Sequence, residues 1–337
     1  MKIEKDKLQE ALTKVKPALA SREMIEQSTS FAFMGDRVVT YNDEISISHP
    51  VEGLDITGAV TAKALYDFLG KVKRKEIDIE CDEDQVKIVA GKSKAGLVFE
   101  REIKLPVEAV GKIGKWKSLP TDFITALKFC HPCCSKDMSR PVLTCVHVNG
   151  ASVQGSDGYQ IAVYNVLDEV AGLQFLIPSS SVRELIKYDV KSIAKGEGWI
   201  HFKTEDDTIF SSRIFDGEFP DVSPHLKVKG VKVEFPKQIV PILERARVFA
   251  NGGMAQDMPM ALVEIEEGKV KVSSKDESGW FEEEANIKYE GDPIKFSANV
   301  EFLINVLNRV QACVVSKSVI RFAGENWTHV VAMQSED

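Results

Sequence analysis

Along most of the chain apolar and polar residues alternate, which is the two-residue period of a strand with one buried face. VHVNGASVQGSDGYQIAVYNV (146–166) alternates in this way and breaks at Asn-Gly and Asp-Gly, the dipeptides of tight hairpins. IDIECDEDQVKIVAG (77–91) and ALVEIEEGKVKVSSKD (261–276) follow the same rule. Six stretches depart from it and place apolar residues three or four positions apart, along one helix face. They form two sets of three. Leu8-Ala11-Leu12-Val15, Phe123-Ala126-Leu127-Cys130 and Ile239-Ile242-Leu243-Ala246 make the first set, at offsets of 115 and 116 residues. Leu65-Phe68-Leu69, Val182-Leu185-Ile186 and Leu303-Val306-Leu307 make the second, at offsets of 117 and 121. A period near one third of the chain predicts three modules of one design, each with two helices packed on antiparallel sheet, and hence an α+β fold. The seams fall in the Lys- and Gly-rich stretches GKIGKWKSLP (111–120) and HLKVKGVKVEFP (225–236), giving modules 1–114, 115–230 and 231–337.

The repeat bears on the most chemically suggestive stretch, KFCHPCCSKD (128–137), which holds three of the six cysteines. C-x-x-C is the spacing of zinc sites and of thiol exchange. A shift of 115 residues, however, places Cys130, Cys133 and Cys134 on Val15, Ala18 and Leu19, and a shift of 116 places them on Ala246, Phe249 and Ala250. A buried apolar role is therefore expected. Zinc would need further ligands, and no second Cys/His pair of suitable spacing supplies them; a redox dithiol is the remaining alternative. His131 falls on the polar positions Lys16 and Arg247, and Pro132 on Pro17, where it ends or kinks the helix. No catalytic signature stands out. Gly91-Lys92-Ser93 lacks the earlier glycine of a P-loop, since Val86 occupies that position, and HExxH and GxSxG do not occur. Asp157 in Ser-Asp-Gly reads first as a turn residue. No metal and no cofactor are expected.

At 337 residues, 44% apolar and 28% charged, the chain has the composition of a soluble protein of two or three domains. No apolar run is long enough to predict a membrane span. The start, MKIEKDKLQEALTK, lacks the apolar stretch of a signal peptide. Six cysteines are too few for a disulfide scaffold, so a reducing, cytoplasmic compartment is expected. The net charge of −8 argues against a simple nucleic-acid binder, provided the charges are evenly spread. They are not. The six helical windows carry a net +10 and the rest of the chain −18. Helices facing one way would make a positive surface backed by an acidic sheet.

Several stretches resemble the bacterial DNA polymerase III beta subunit, the sliding clamp family. They are RPVLTCVHV (140–148), SDGYQIAV (156–163), FLIPSSSVRELIK (175–187), IFDGEFPD (214–221), RARVFANGG (245–253), the run from DESGWFEEEANIKY to FSANVEFLINVL (276–307), and THVVAMQ (328–334). The resemblance is weaker in the first module. It implies three like domains per chain, helices inside and sheets outside, with each chain forming half of a closed ring. It implies a head-to-tail homodimer around duplex DNA, read without sequence preference, that tethers a DNA polymerase for processive synthesis and is served by a clamp loader. On this reading Lys14, Lys16, Lys71, Lys73, Arg74, Arg183, Lys187, Arg245, Arg247 and Arg309 face the hole or its rim, and Arg22 and Arg140 match basic loop residues near DNA. Partner peptides would enter a cleft formed by Leu143, the loop Ser156-Asp157-Gly158-Tyr159-Gln160-Ile161, Pro220, and Val330, Val331 and Met333. Tyr159 and Gln160 replace a His-Arg pair of the family, Ala332-Met333-Gln334 replaces a Met-Pro-Met-like tail, and Val222-Ser223-Pro224 stands where a basic pair is usual. These departures mark a divergent clamp. The rival readings are a clamp-fold scaffold that never closes on DNA, and an enzyme using Cys130, Cys133 or Asp157.

Overall fold

The computed structural model describes residues 1–250 and 258–335. The end of the RARVFANGG stretch, Asn251–Gly253, lies outside the described residues. All six helical periods are helices: α1 (Lys5–Val15), α2 (Ala62–Lys71), α3 (Phe123–Cys130), α4 (Ser179–Leu185), α5 (Ile239–Ala246) and α6 (Val300–Leu307). Each buries most of the stripe that defined it, with Phe68 and Ile186 half-buried. Leu8, Ala11, Leu12 and Val15 are the buried face of α1, and Ile239, Ile242, Leu243 and Ala246 that of α5. Each helix of the first set runs on into a 3-10 turn, at Lys16–Ala18, His131–Cys133 and Arg247–Phe249. Pro17 and Pro132 sit in the first two of these turns, where a missing N–H costs little. At the start of α6 the Asn299 side chain accepts from the backbone N–H groups of Glu301 and Phe302, a helix cap.

The chain packs as two compact units, residues 1–124 with 168–216, and residues 125–167 with 217–337. Both consist mainly of antiparallel sheet. In the first unit the strand Ile45–Pro50 pairs with Ile209–Arg213, with Ile47 opposite Phe210. In the second, Gln160–Asn165 pairs with Trp327–Ser335, with Ile161 opposite Val330. Strand pairing thus joins residues 209–213 to 45–50, and residues 160–165 to 327–335. Aromatic rings fill the first unit, where Tyr41 lies 6.0 Å from Trp199 and Phe123 stacks on Phe202 at 6.0 Å. A core cluster in the second unit closes over Leu243, Phe296, Leu303 and Phe322, all 1% exposed or less.

The repeat extends to a turn. Asn42 accepts through Oδ1 from the N–H groups of Glu44 (3.2 Å) and Ile45 (2.9 Å). Asp157, 115 residues later, accepts through Oδ1 from Tyr159 (2.8 Å) and Gln160 (2.9 Å). The residue after each has positive φ, 75° at Asp43 and 93° at Gly158. One side chain closing on the two N–H groups beyond it is an Asx turn. The turn feeds Ile45–Pro50 in one case and Gln160–Asn165 in the other.

Candidate functional site

The Asp157 turn is held from both sides. Ser156 Oγ donates to the Gln160 carbonyl at 2.8 Å and accepts from Gly158 N at 3.2 Å. Asp157 Oδ2 accepts from Gln160 Nε2 at 2.9 Å. Gly158 has φ 93°, a conformation that L side chains rarely adopt, so glycine is favoured there. The turn is then fastened to the last strand. Ala332 N donates to the Tyr159 carbonyl at 2.8 Å, and Gln160 pairs with Val331. Beneath the pair, buried His329 Nε2 lies 3.1 Å from Gln160 Oε1 and 3.7 Å from Cys133 Sγ. Burial, with the nearby Arg309 charge, lowers the His329 pKa to about 4. Its imidazole is therefore neutral near pH 7, and the Gln160 carbonyl oxygen places its proton on Nε2.

The two-residue period of the strands sorts the predicted cleft residues by face. Ile161, Val330 and Arg321 lie side by side across three strands, and Ala332 lies beside Val319 on the same face. Val331 and Ile320 point the other way into the core around Leu243 and Phe296, and Met333 packs against that core. Val331 and Met333 thus support the strand from behind, while Ile161 and Val330 belong to the opposite face. Leu143 is half-buried in the turn Pro141–Thr144; its N–H donates to the Arg140 carbonyl at 3.0 Å and its carbonyl accepts from Ser135 N at 2.8 Å. Pro220 is exposed and follows Phe219, whose ring stacks on His147 at 5.0 Å. The short turn Ser223–Leu226 packs on the last strand. Sequence reasoning missed Val319, Ala332 and Arg321. Alternation within VIRFA could have split that strand by face, but only its pairing reveals which face joins Ile161.

The cysteines answer the C-x-x-C question. Cys130, Cys133 and Cys134 are buried, and all six cysteines are free thiols. Cys130 Sγ donates to the Val153 carbonyl at 3.2 Å and Cys134 Sγ to the Cys145 carbonyl at 3.3 Å. Burial pushes the Cys130 and Cys133 thiols well above their usual pKa. Such thiols are poor nucleophiles and act as packing groups. Among the described residues no three His, Cys, Asp or Glu side chains cluster as metal ligands.

The predicted DNA-facing residues fall into three groups. Five have carboxylate partners of their own: Lys14 with Asp206 (2.7 Å) and Glu10 (2.9 Å), Arg140 with Asp137 (3.4 Å), Lys187 with Glu184 (2.6 Å), Arg245 with Glu283 (2.7 Å) and Arg247 with Glu301 (3.2 Å). Burial opposes ionisation of Asp206, but hydrogen bonds from Lys14, Thr204 and Thr208 outweigh it and hold the carboxyl well below its usual range. Lys16 lies over the Tyr66 ring at 4.2 Å and Arg309 over Phe129 at 5.2 Å, both cation–π contacts. The side chains of Arg22, Lys71, Lys73, Arg74 and Arg183 make no ion pair or hydrogen bond among the described residues. Lys71, Lys73 and Arg74 are exposed at and just beyond the end of α2. Arg22 and Arg183 line one groove of about 1030 Å³ in the first unit, together with Met24, Ser28 and Glu44.

No family model matches the chain. Among curated proteins, the beta sliding clamp of Buchnera aphidicola subsp. Rhopalosiphum padi is 28% identical over 187 residues, 51% of this chain and 50% of that protein. The beta sliding clamp of Pseudomonas putida is 23% identical over 309 residues, 86% of this chain and 82% of that protein. Solved structures match from end to end. The sliding clamp (DNA polymerase III subunit beta) of Bartonella birtlesii superposes with a TM-score of 0.87 at 17% identity, covering 100% of this chain and 99% of that one. The DNA polymerase sliding clamp of Bacillus subtilis gives 0.86 at 18% identity, with 100% and 99% covered. The chain is a divergent relative of the bacterial beta sliding clamps and has their fold.

Proposed function

We propose that the chain is a DNA sliding clamp, a ring of two head-to-tail copies that encircles duplex DNA and tethers the replicative polymerase. Each copy contributes the three modules 1–114, 115–230 and 231–337. The carrying observation is the end-to-end match to the clamp fold, 100% of the chain at a TM-score of 0.87. The clamp is a mechanical tether in the cytoplasm and performs no chemistry. A clamp loader opens the ring, and the DNA it surrounds is held by topology. Free Lys71, Lys73 and Arg74 meet phosphates, which carry no sequence information, so the ring slides. The loop Ser156–Ile161 and the face of the last strand receive a polymerase peptide, its leucine or phenylalanine side chains resting on Ile161, with Val330 buried beside it.

Two open strand edges support ring closure. In the first unit Ser93–Val98 pairs, among the described residues, only with Gln85–Ala90, leaving its other edge open up to Phe99. In the second unit Gly279–Asn286 pairs, among the described residues, only with Lys269–Asp276. Exposed edges invite pairing with another chain. The first bears Lys94 and Val98, 72% exposed; the second bears Trp280, 69% exposed, and Glu282, Glu283 and Glu284. An edge of one copy meets the other edge of the next, a heterologous contact that closes after two copies. The experiment is light scattering at micromolar concentration, which returns twice the 37.4 kDa chain mass if the ring forms. The alternative, a clamp-fold scaffold that does not close on DNA, draws on the five basic side chains already engaged by the chain's own carboxylates. It predicts binding of protein partners with no retention on DNA.

A further inference from the structure

The repeat builds the corner around Leu143 a second time, in the first unit, where the function proposed above leaves it unused. Ser28 N donates to the Ile25 carbonyl at 3.0 Å, and the Ser28 carbonyl accepts from Ala20 N at 2.9 Å. Leu143, 115 residues later, makes the same two bonds with Arg140 and Ser135, which lie 115 residues beyond Ile25 and Ala20. Ser28 and the Asn42 turn, itself the copy of the Asp157 turn, together line the groove of about 1030 Å³. The copy carries different chemistry. Serine replaces leucine, and Ser28 Oγ is buried without a hydrogen-bond partner among the described residues. Arg140 pairs with Asp137 in the second unit, whereas Arg22 and Arg183 in the groove are exposed and, among the described residues, unpaired. The carboxylates of the lining are already engaged. Glu44 accepts from Ser180 Oγ at 2.6 Å and from Ser181 Oγ at 2.7 Å, and Glu184 pairs with Lys187. Met24 is 90% exposed and, with half-buried Leu19 and Ile25, gives the groove an apolar wall.

We propose that this groove is a second partner site, separate from the cleft, and that it takes an extended peptide in which an Asp or Glu adjoins a bulky apolar side chain. The carboxylate meets Arg22 and Arg183, whose planar guanidinium forks match it. The apolar side chain packs on Met24, Leu19 and Ile25, methionine being an adaptable contact at binding surfaces. Serine at the floor, smaller than the leucine of the other corner, leaves depth for a large side chain. The choice of a peptide rests on the cleft reading, through the repeat; the anion-binding character rests on the groove's own arginines. A run of phosphates would meet Glu44 and Glu184 as well, and would bring no apolar side chain to cover Met24.

The probes are fluorescein-labelled nonapeptides with a central Asp-Phe, Phe-Asp, Asp-Leu or Leu-Asp pair, and their Asn twins. They are titrated by anisotropy against the full-length protein carrying Ile161→Asp, which blocks the cleft. At least one Asp peptide should bind about fivefold more tightly than its Asn twin, the scale of an exposed charge pair. Arg183→Glu in the same background should abolish that preference; Arg183 is exposed, so this arm leaves the core untouched. Ser28→Leu, with an unchanged melting temperature, should weaken every peptide by filling the floor. Equal binding of every Asp and Asn pair, or no binding at all, overturns the proposal. So does binding that the unsubstituted protein shows and Ile161→Asp loses, since the peptide then sits in the cleft. Binding of an oligothymidylate that Arg183→Glu removes, with no peptide bound, would overturn it in favour of single-stranded DNA. If Ile161→Asp leaves capture of the polymerase unchanged, the cleft reading fails, and the Asp and Asn difference with its loss in Arg183→Glu still judges the groove.

Discussion

His329 and His201 are buried, and burial lowers the pKa of each to about 4. Both are neutral near pH 7 in the folded chain. As pH falls from about 6.5 toward 4, the unfolded chain takes up protons that the folded chain refuses. Stability is therefore lost across that window, by up to about 1.4 kcal/mol per pH unit for each histidine. The urea midpoint should fall steadily from about pH 6.5 to 5, above the range where most carboxylates titrate, and His329→Gln should lessen the fall. A flat profile in the unsubstituted protein would mean that neither ring is held neutral. The strand faces make a second prediction. Ile161→Asp should abolish binding of the polymerase peptide while leaving the melting temperature nearly unchanged, because Ile161 is only half-buried. Met333→Asp should lower the melting temperature by several degrees, because a carboxylate would meet the core around Leu243 and Phe296. Sequence placed both residues in one cleft. It could not separate them, because facing depends on pairing, and the last strand passes from Gln160–Asn165 and Val319–Ala323 to Ile294–Asn299 between Ala332 and Met333.

At the scale of elements, the six helices were legible because each buries a single stripe, and apolar spacing reports that stripe directly. The hairpins were legible from Asn-Gly and Asp-Gly, with Gly150 and Gly158 both at positive φ. The joining of Ile45–Pro50 to Ile209–Arg213 was not, since no local signal records which strands meet across more than 150 residues. Charge was legible as a total but not as a disposition. Lys14 counted toward a basic helix, yet it is bound to Asp206, which lies in a turn between strands. Exposed pairs of this kind contribute little to stability, but they do reduce what is left for DNA. The free residues at the end of α2 should therefore matter most. Reversing Lys71, Lys73 and Arg74 together to Glu should weaken DNA binding, with a smaller salt dependence remaining. Lys14→Glu alone should change it much less. Equal losses in the two variants would show that the ion-paired lysine serves DNA as well.

For the whole molecule, closure and topology are the claims. Val98→Lys and Trp280→Lys alter exposed side chains on open edges, so each should shift the dimer toward monomer without lowering the melting temperature of the separated chain. A variant that stayed dimeric would place the interface elsewhere. Encirclement itself is tested most directly by retention on DNA of defined topology. The protein is diluted from a ring-dissociating concentration of urea in the presence of a nicked circular plasmid, and the plasmid is recovered by gel filtration. Half of the recovered complex is then cut once with a restriction enzyme and filtered again. A closed ring held by topology remains with the circle at moderate salt and slides off the linear form. Equal retention on the two forms would contradict the account.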